Sequence, residues 1–393
     1  MNMNNKNWVS VWGNAVSIAE HHPEAYAKYI TLRYPVYIPF DGDTLRFTFD
    51  NYCGSEAVTV TRATVSAATS PVYEKMPLAC PCKKETICDI TFSKNESVTM
   101  EAHQTAVSDP VSFPVKKGMT LTVSLYFADF TLMQSAVLVT GPLSKGFFSL
   151  GDQTHADALP MDTTKTTNWF YFLSNIELMT AEENHTVICY GDSITAGAWP
   201  DYLTLLARQN PDNHTAFIRR ATSGSRVLRQ YECITYDSYG LKGTNRFPHE
   251  IPTTGADTVI IQQGINDIIH PVGIETNPFR PMSDLPTVKE LIDGYRYYIE
   301  EAKKLHLKVY MGTLLPIFGW RTYATFRDDL RNELNAWIRS AKEIDGCIDF
   351  DLALRGSENP SAFREGFDSG DHLHPSSKAY QAMAECAYEV LQR

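Results

Sequence analysis

Val187-Ile188-Cys189-Tyr190-Gly191-Asp192-Ser193-Ile194-Thr195 is a short β-prone run that ends on Gly-Asp-Ser, and a helix can start soon after it, near Trp199-Pro200. This order puts one hydroxyl, that of Ser193, on a tight turn at the carboxyl end of a strand. In an open parallel sheet that is the crevice where ligands bind. The tripeptide alone says little, because aspartate and serine are common in turns. Three downstream segments add weight: Ser223-Gly224, Gly264-Ile265-Asn266-Asp267 and Asp371-His372-Leu373-His374-Pro375. Nucleophile, oxyanion donors, base and orienting carboxylate are then all accounted for, each near an expected strand end.

The stretch around Ser193 opens the second of two halves with different periods. From His185 onward, apolar runs alternate with amphipathic helical stretches. Strands are expected at Val187–Tyr190, Ala216–Ile218, Thr258–Gln262, Lys308–Leu315 and Cys347–Phe350. Helices are expected at Asp201–Gln209, Val288–Leu305, Tyr323–Ile344 and Ser376–Leu391. Strand–helix alternation implies a three-layer α/β/α domain built on a parallel sheet. Before it, Thr44–Phe49, Val58–Thr61 and Met119–Leu125 alternate polar and apolar residues and are separated by turn signals such as Asp41-Gly42 and Lys117-Gly118. Short alternating strands of this kind predict an antiparallel β-sandwich. Trp169–Leu173 is expected to be its last strand and Thr180–His185 the linker. The expected domains are therefore a β-sandwich over 1–183 and the α/β/α domain over 184–393.

Composition excludes several classes of function. The chain has 393 residues and a net charge of −11, with no basic run, which disfavours nucleic acid and anionic membrane as partners. No apolar stretch approaches the ~20 residues of a membrane helix. Met1–Asn7 lacks the apolar core of a signal peptide, so a cytoplasmic protein is expected. The eight cysteines are scattered and do not resemble a disulfide framework. Cys80, Cys82 and Cys88 form the one cluster, and it lacks a nearby fourth zinc ligand, so no metal is expected. The sequence sets no oligomeric state.

Serine is a weak nucleophile until a base takes its proton, and histidine is the usual base at neutral pH. His374 is the best candidate, just before the final helix. Asp371, three residues earlier, can hold the tautomer that leaves Nε2 facing Ser193, the division of labour of a Ser-His-Asp triad. Asp371 as a plain turn residue and His372 or His374 as helix caps remain the bland alternative for that segment alone. Oxyanion donors are available from the backbone N–H of Ser193, the backbone N–H of Gly224 and the side-chain amide of Asn266. Asp192 is expected to cap a turn or helix. Trp199 and Trp320 are candidates to stack on a sugar ring, with core packing as the alternative. Arg226 is a candidate to meet an acidic substrate group, with structural pairing as the alternative. His155 is read as a surface-loop histidine.

The four segments, in order and on matching strand ends, resemble the SGNH branch of the GDSL esterase superfamily over residues 186–393. Its four named positions would be Ser193, Gly224, Asn266 and His374, with Asp371 as the orienting acid. Asp368–Pro375, Trp337-Ile338-Arg339 and Ile348-Asp349-Phe350 are similar to the bacterial sub-branch grouped with xylan esterases, as is the β-rich leader with Leu45-Arg46-Phe47 and Gly151–His155. Two features depart from the pattern. Ser225 stands where members often have asparagine, and only Ala196-Gly197-Ala198 precedes Trp199-Pro200. The resemblance implies a cofactor-free carboxylic ester hydrolase acting on a small O-acyl group, such as an acetylated oligosaccharide. A lysophospholipase or thioesterase is the rival enzyme; it would need an apolar acyl channel, and His270–Pro286 does not read as strongly apolar. A non-catalytic carbohydrate-binding protein is the rival from another class.

Overall fold

The computed structural model describes residues 6–18, 25–231 and 239–392. Cys233 and the Met1–Asn5 part of the amino-terminal reading lie outside the described residues. The chain divides into two compact units, Met1–Thr186 with Pro211–Ile218, and Val187–Asn210 with Arg219–Arg393.

The first unit is the antiparallel β-sandwich, with a five-stranded and a six-stranded sheet. Alternation in Gly42–Asp50 shows how sequence sets its faces. Leu45, Phe47 and Phe49 are fully buried, while Thr44, Arg46 and Thr48 between them are less so. In the six-stranded sheet, Thr120–Phe127 pairs with Ile30–Tyr37 from Thr120↔Tyr37 to Phe127↔Ile30. Every residue of Thr120–Phe127 is buried. Its polar positions are satisfied side to side: Thr122 Oγ1 lies 2.6 Å from Ser66 Oγ, and Ser124 Oγ accepts from Arg33 Nε at 2.9 Å.

The last strand is a correction. Trp169–Tyr171 is a short strand of a separate three-stranded sheet, and the chain then breaks at Phe172, whose φ is 60°. Leu173–Ala181 follows and pairs with both Lys6–Gly13 and Gly42–Asp50. It escapes a hydrophobicity reading because Asn175 and Glu177 interrupt it. Both are buried and paired, Asn175 Nδ2 to Ser10 Oγ at 2.9 Å and Glu177 to Arg46 Nε at 2.5 Å. Thr180 and Ala181 therefore belong to a strand, and His185 already opens the next one.

The second unit carries the strand–helix alternation, although residues 185–186 and 215–218, which open its first two strands, are grouped with the first. Its parallel sheet has strands β1 (His185–Gly191), β2 (Thr215–Ala221), β3 (Ala256–Gln262), β4 (Lys308–Gly312) and β5 (Gly346–Ile348), in the order β2-β1-β3-β4-β5. Its helices are α1 (Ser193–Ala196), α2 (Trp199–Arg208), α3 (Gly243–Glu250), α4 (Ile265–Ile269), α5 (Val288–Lys304), α6 (Thr325–Ser340), α7 (Phe350–Leu354) and α8 (Ser377–Leu391). Ile188, Cys189, Tyr190, Val259, Ile260 and Ile261 are all fully buried, the continuous apolar run of strands covered on both faces. The strand order reverses between β1 and β3. A crevice opens outside the carboxyl ends of strands at such a reversal, which is the usual ligand position in open α/β sheets.

Two strands are shorter than expected, for local reasons. β4 stops at Gly312, where a Cβ would lie 2.6 Å from the Phe350 ring. The following backbone is then satisfied by side chains, with Leu314 N donating to Asn335 Oδ1 at 2.7 Å. β5 stops at Ile348 because Asp349 caps α7, accepting from Leu352 N at 3.1 Å. The short helices α3, α4 and α7 give no sustained period in sequence and are found only in the structure. In α3, Pro248 sits inside the helix.

Candidate active site

Each motif follows a strand of the switch region or precedes the last helix. Asp192 caps α1, with Oδ1 accepting from Ile194 N at 3.0 Å, and this fixes Ser193 as the first helical residue after β1. Ser193 Oγ lies 2.9 Å from His374 Nε2. His374 Nδ1 lies 2.6 Å from Asp371 Oδ2. The other Asp371 oxygen accepts from the backbone N–H of His374 at 2.8 Å and of Leu373 at 3.0 Å. Burial pushes the Asp371 carboxyl up, but the imidazole bond and these two N–H bonds outweigh it and hold the group down to about 2. The carboxylate thus stays charged and keeps Nδ1 as the donor, which leaves Nε2 free to accept from the serine.

The loop that presents His374 is tied to itself. Asp368 Oδ1 accepts from Gly370 N at 2.8 Å and His372 N at 2.9 Å, and its Oδ2 pairs with His372 Nδ1 at 2.5 Å. His372 takes a left-handed backbone, φ 64°. Its ring packs on Gly319, where a Cβ would sit 2.8 Å away. Ser376 then caps α8 and anchors the loop's far end to Gly366 O at 2.8 Å. His372 therefore has a partner of its own and stands apart from the Ser193–His374–Asp371 relay.

Gly224 has φ 74°, and a Cβ there would lie 2.2 Å from the Tyr239 ring, so only glycine fits this turn. Asn266 is buried in the first turn of α4, after Gly264 at φ 128°. Its Nδ2 donates to Ser225 O at 3.1 Å, which ties it to the Gly224 loop. Ser225 Oγ in turn accepts from Gln263 Nε2 at 2.8 Å. Two buried carboxyls flank this set. Burial pushes Asp192 up to about 7 and Asp267 up to about 6, against the backbone N–H bonds that each accepts. Ser225, Gln263 and Asp267 escape sequence reasoning because their contacts run to backbone or across loops. The one available signal was the acid directly after Asn266.

Several expected contacts are placed elsewhere. Trp199 is not a substrate contact. It is fully buried, 5.5 Å from the Phe350 ring, with Nε1 donating to Thr195 Oγ1 at 3.3 Å. Arg226 is also buried, paired with Asp284 at 3.4 Å and lying 4.2 Å over the Tyr231 ring, so it is a packing residue. Trp320 is half-buried beside Gly319, with Arg321 4.6 Å over its ring. His155 pairs with Asp89 at 3.0 Å within the sandwich. The described cysteines, Cys80, Cys82 and Cys88 included, are free thiols. Among the described residues no group of three or more His, Cys, Asp or Glu side chains is arranged to hold a metal, and no helix is long and apolar enough to cross a membrane.

A strand-end serine bonded to an aspartate-held histidine is the arrangement of a hydrolase that works through a serine nucleophile. Residues 189–382 match the GDSL-like Lipase/Acylhydrolase family, and this part of the chain belongs to it. Solved structures that match part of the chain include a GDSL-like lipase from Bacteroides thetaiotaomicron VPI-5482, 20% identical, covering 54% of this chain and 89% of that one, with a TM-score of 0.39. A catalytic mutant of an acetylxylan esterase from Geobacillus stearothermophilus is 16% identical over 52% of this chain and 93% of its own, TM-score 0.39. A member of the lipolytic G-D-S-L family from Veillonella parvula DSM 2008 is 18% identical over 53% and 99%, TM-score 0.36. No curated protein matches the chain.

Proposed function

We propose that this acylhydrolase is a serine esterase that removes small O-acyl groups, acetyl in the first place, from a carbohydrate. The observation that carries the catalytic part is the unbroken relay from Ser193 Oγ through His374 to Asp371, at 2.9 and 2.6 Å. Ser193 Oγ attacks the ester carbonyl carbon as His374 Nε2 takes its proton. The oxyanion meets the N–H groups of Ser193 and Gly224 and the amide of Asn266. On collapse, His374 returns the proton to the leaving alcohol. Water, deprotonated by the same imidazole, then attacks the acyl-enzyme carbonyl; as the acyl–Oγ bond breaks, His374 returns that proton to Ser193 Oγ and the acid is released. Every proton in this cycle is handled by protein side chains, so the mechanism needs no metal or organic cofactor. The carbohydrate part rests on the sequence resemblance of the Asp368–Pro375 region and the leader. Acetate release from a panel of acetylated oligosaccharides tests it. Turnover of a chromogenic acetate ester with no release from any acetylated sugar would limit the reading to a small-ester hydrolase. No turnover of either would leave the carbohydrate-binding alternative.

A second reading has one observation behind it. The segment His270–Pro286, which does not read as strongly apolar, exposes Ile274, Phe279 and Met282. These side chains follow α4, which carries Asn266, and would suit a longer acyl chain. Burying each further methylene is worth about 0.8 kcal/mol. A rate maximum at octanoyl or longer in an acyl-length series would favour the thioesterase or lysophospholipase reading. A maximum at acetyl would set it aside.

A further inference from the structure

We propose that Asp267 is a positioning residue of the oxyanion site, and that its carboxylate holds the Gly224–Leu228 loop so that the Gly224 N–H and the Asn266 amide face one oxygen. The inference rests on the esterase reading above. Asp267 is fully buried, next to Asn266 in the first turn of α4. Its two oxygens are divided between two consecutive backbone donors of the facing loop. Oδ2 accepts from Val227 N at 2.8 Å and Oδ1 from Leu228 N at 3.0 Å. Among the described residues it makes no ion pair. Burying a carboxylate that makes no ion pair costs several kcal/mol, which the nearby Arg226 charge offsets only in part, and a neutral side chain would avoid that cost. A carboxylate does what asparagine of the same shape cannot: it offers two acceptor oxygens to two N–H groups. Asparagine would turn one of those contacts into N–H facing N–H.

The clamp acts on a loop that needs one. Gly224 is left-handed and would be free to rotate if the loop were slack. Side chains already reach it at Ser225, with Asn266 Nδ2 donating to the carbonyl and Gln263 Nε2 to the hydroxyl. Asp267 adds two backbone ties, two and three residues further on. Adjacent residues of α4 thus grip adjacent stretches of the loop. One of them also supplies an oxyanion donor, so the spacing between donors is set by covalent geometry on one side and by the carboxylate on the other. Displacing such a donor by a fraction of an ångström weakens transition-state binding more than substrate binding.

Asp267→Asn in the full chain tests this with p-nitrophenyl acetate and a small alkylboronic acid. The boronic acid forms a tetrahedral adduct with Ser193 that places an oxygen in the oxyanion site. The expected result is a kcat reduced about 10- to 100-fold per titrated active site, KM within about twofold, and boronic acid affinity weakened by a similar factor to kcat. In an Asn266→Ala background the same substitution should cost less than about threefold, because the loop no longer has the Asn266 amide to be set against. Unchanged kcat and boronic acid affinity in folded Asp267→Asn would overturn the proposal. So would a full additional loss in the Asn266→Ala background, which would mark a general structural role. If Asp267→Asn does not fold, Leu228→Pro removes one donor and keeps the carboxylate. Wild-type kcat and boronic acid affinity there would equally overturn it. A wild-type enzyme inactive on esters, or an active Ser193→Ala variant, would instead defeat the underlying esterase reading.

Discussion

The two units treat their buried polar groups in opposite ways. In the sandwich, among the described residues, no buried side-chain polar atom lacks a partner. Its hardest case is Arg33, a fully buried guanidinium. Nε donates to Ser124 Oγ at 2.9 Å, Nη1 to Cys80 O at 3.2 Å, and Nη2 to Gln153 O and Ala156 O, each at 2.8 Å. The catalytic unit leaves Asp192 Oδ2, Thr222 Oγ1, Gln262 Nε2 and His270 Nδ1 buried and without a hydrogen bond. All four lie in or just beyond the strands and turns that carry the site motifs. An unmade buried hydrogen bond costs about 1–3 kcal/mol. Such groups persist where a site needs donors and carboxyls in place before substrate arrives. The sandwich is built for stability, whereas the catalytic unit gives up stability around its site.

The largest effect should come from the group whose removal leaves packing almost untouched. Ser193→Ala deletes one hydroxyl at the end of β1 and should lower kcat by about 10⁴ or more. The thermal midpoint should barely move. A variant that retained a tenth of wild-type turnover would remove Ser193 as nucleophile. A variant that was inactive because it unfolded would break the comparison, since the serine would then be a stability residue like those of the sandwich.

Legibility in sequence follows the same division. Fold class was readable because both periods are strong: alternation in Thr44–Phe49, and continuous apolar strands separated by helices after His185. The site motifs were readable because each sits at a strand end or before α8, where a short string of residues has one structural place. Side chains that act through tertiary contact were not. Leu173–Ala181 hid behind Asn175 and Glu177, whose partners Ser10 and Arg46 are far off in sequence. Trp199 and Arg226 stay open in sequence between substrate contact and packing or pairing, because residue type does not reveal burial. Asp267 has no role legible in sequence, because the N–H groups it holds belong to another loop.

The next effect should fall on stability alone. Arg33→Met removes a charge that nothing else in the sandwich can replace at that point. It leaves three carbonyls and the Ser124 hydroxyl without their donor. The expected loss is about 3–5 kcal/mol, read from the denaturant midpoint of the transition that reports the sandwich. A loss under about 1 kcal/mol would mean that water or relaxed loops satisfy those groups. Arg33 would then be no better placed than the orphaned groups of the catalytic unit.

The smallest effect runs the other way and depends on pH. Asp192 is fully buried, with one oxygen bonded to Ile194 N and the other unpartnered. Burial is the main reason its carboxyl is pushed up to about 7, with Asp267 adding to the rise and Arg246 opposing it. In the unfolded chain the same group ionises near 3.8. Between those values the unfolded state sheds its proton while the folded state keeps it, so ionisation favours unfolding. Stability contributed by this site is therefore full below about pH 4, falls as pH rises toward 7, and is level above that. Asparagine keeps the Oδ1 cap to Ile194 and cannot ionise. Asp192→Asn should match wild type near pH 4 and become the more stable protein as pH approaches 8, as read from denaturant midpoints of the catalytic-unit transition at each pH. Asp267, pushed up to about 6, slopes the same way in both proteins and cancels in the difference. A difference that stays constant with pH would show that Asp192 is ionised throughout. A difference that favours wild type at high pH would mean that its charge is paid for in the fold, and the contrast between the two units would fail at the residue beside the nucleophile.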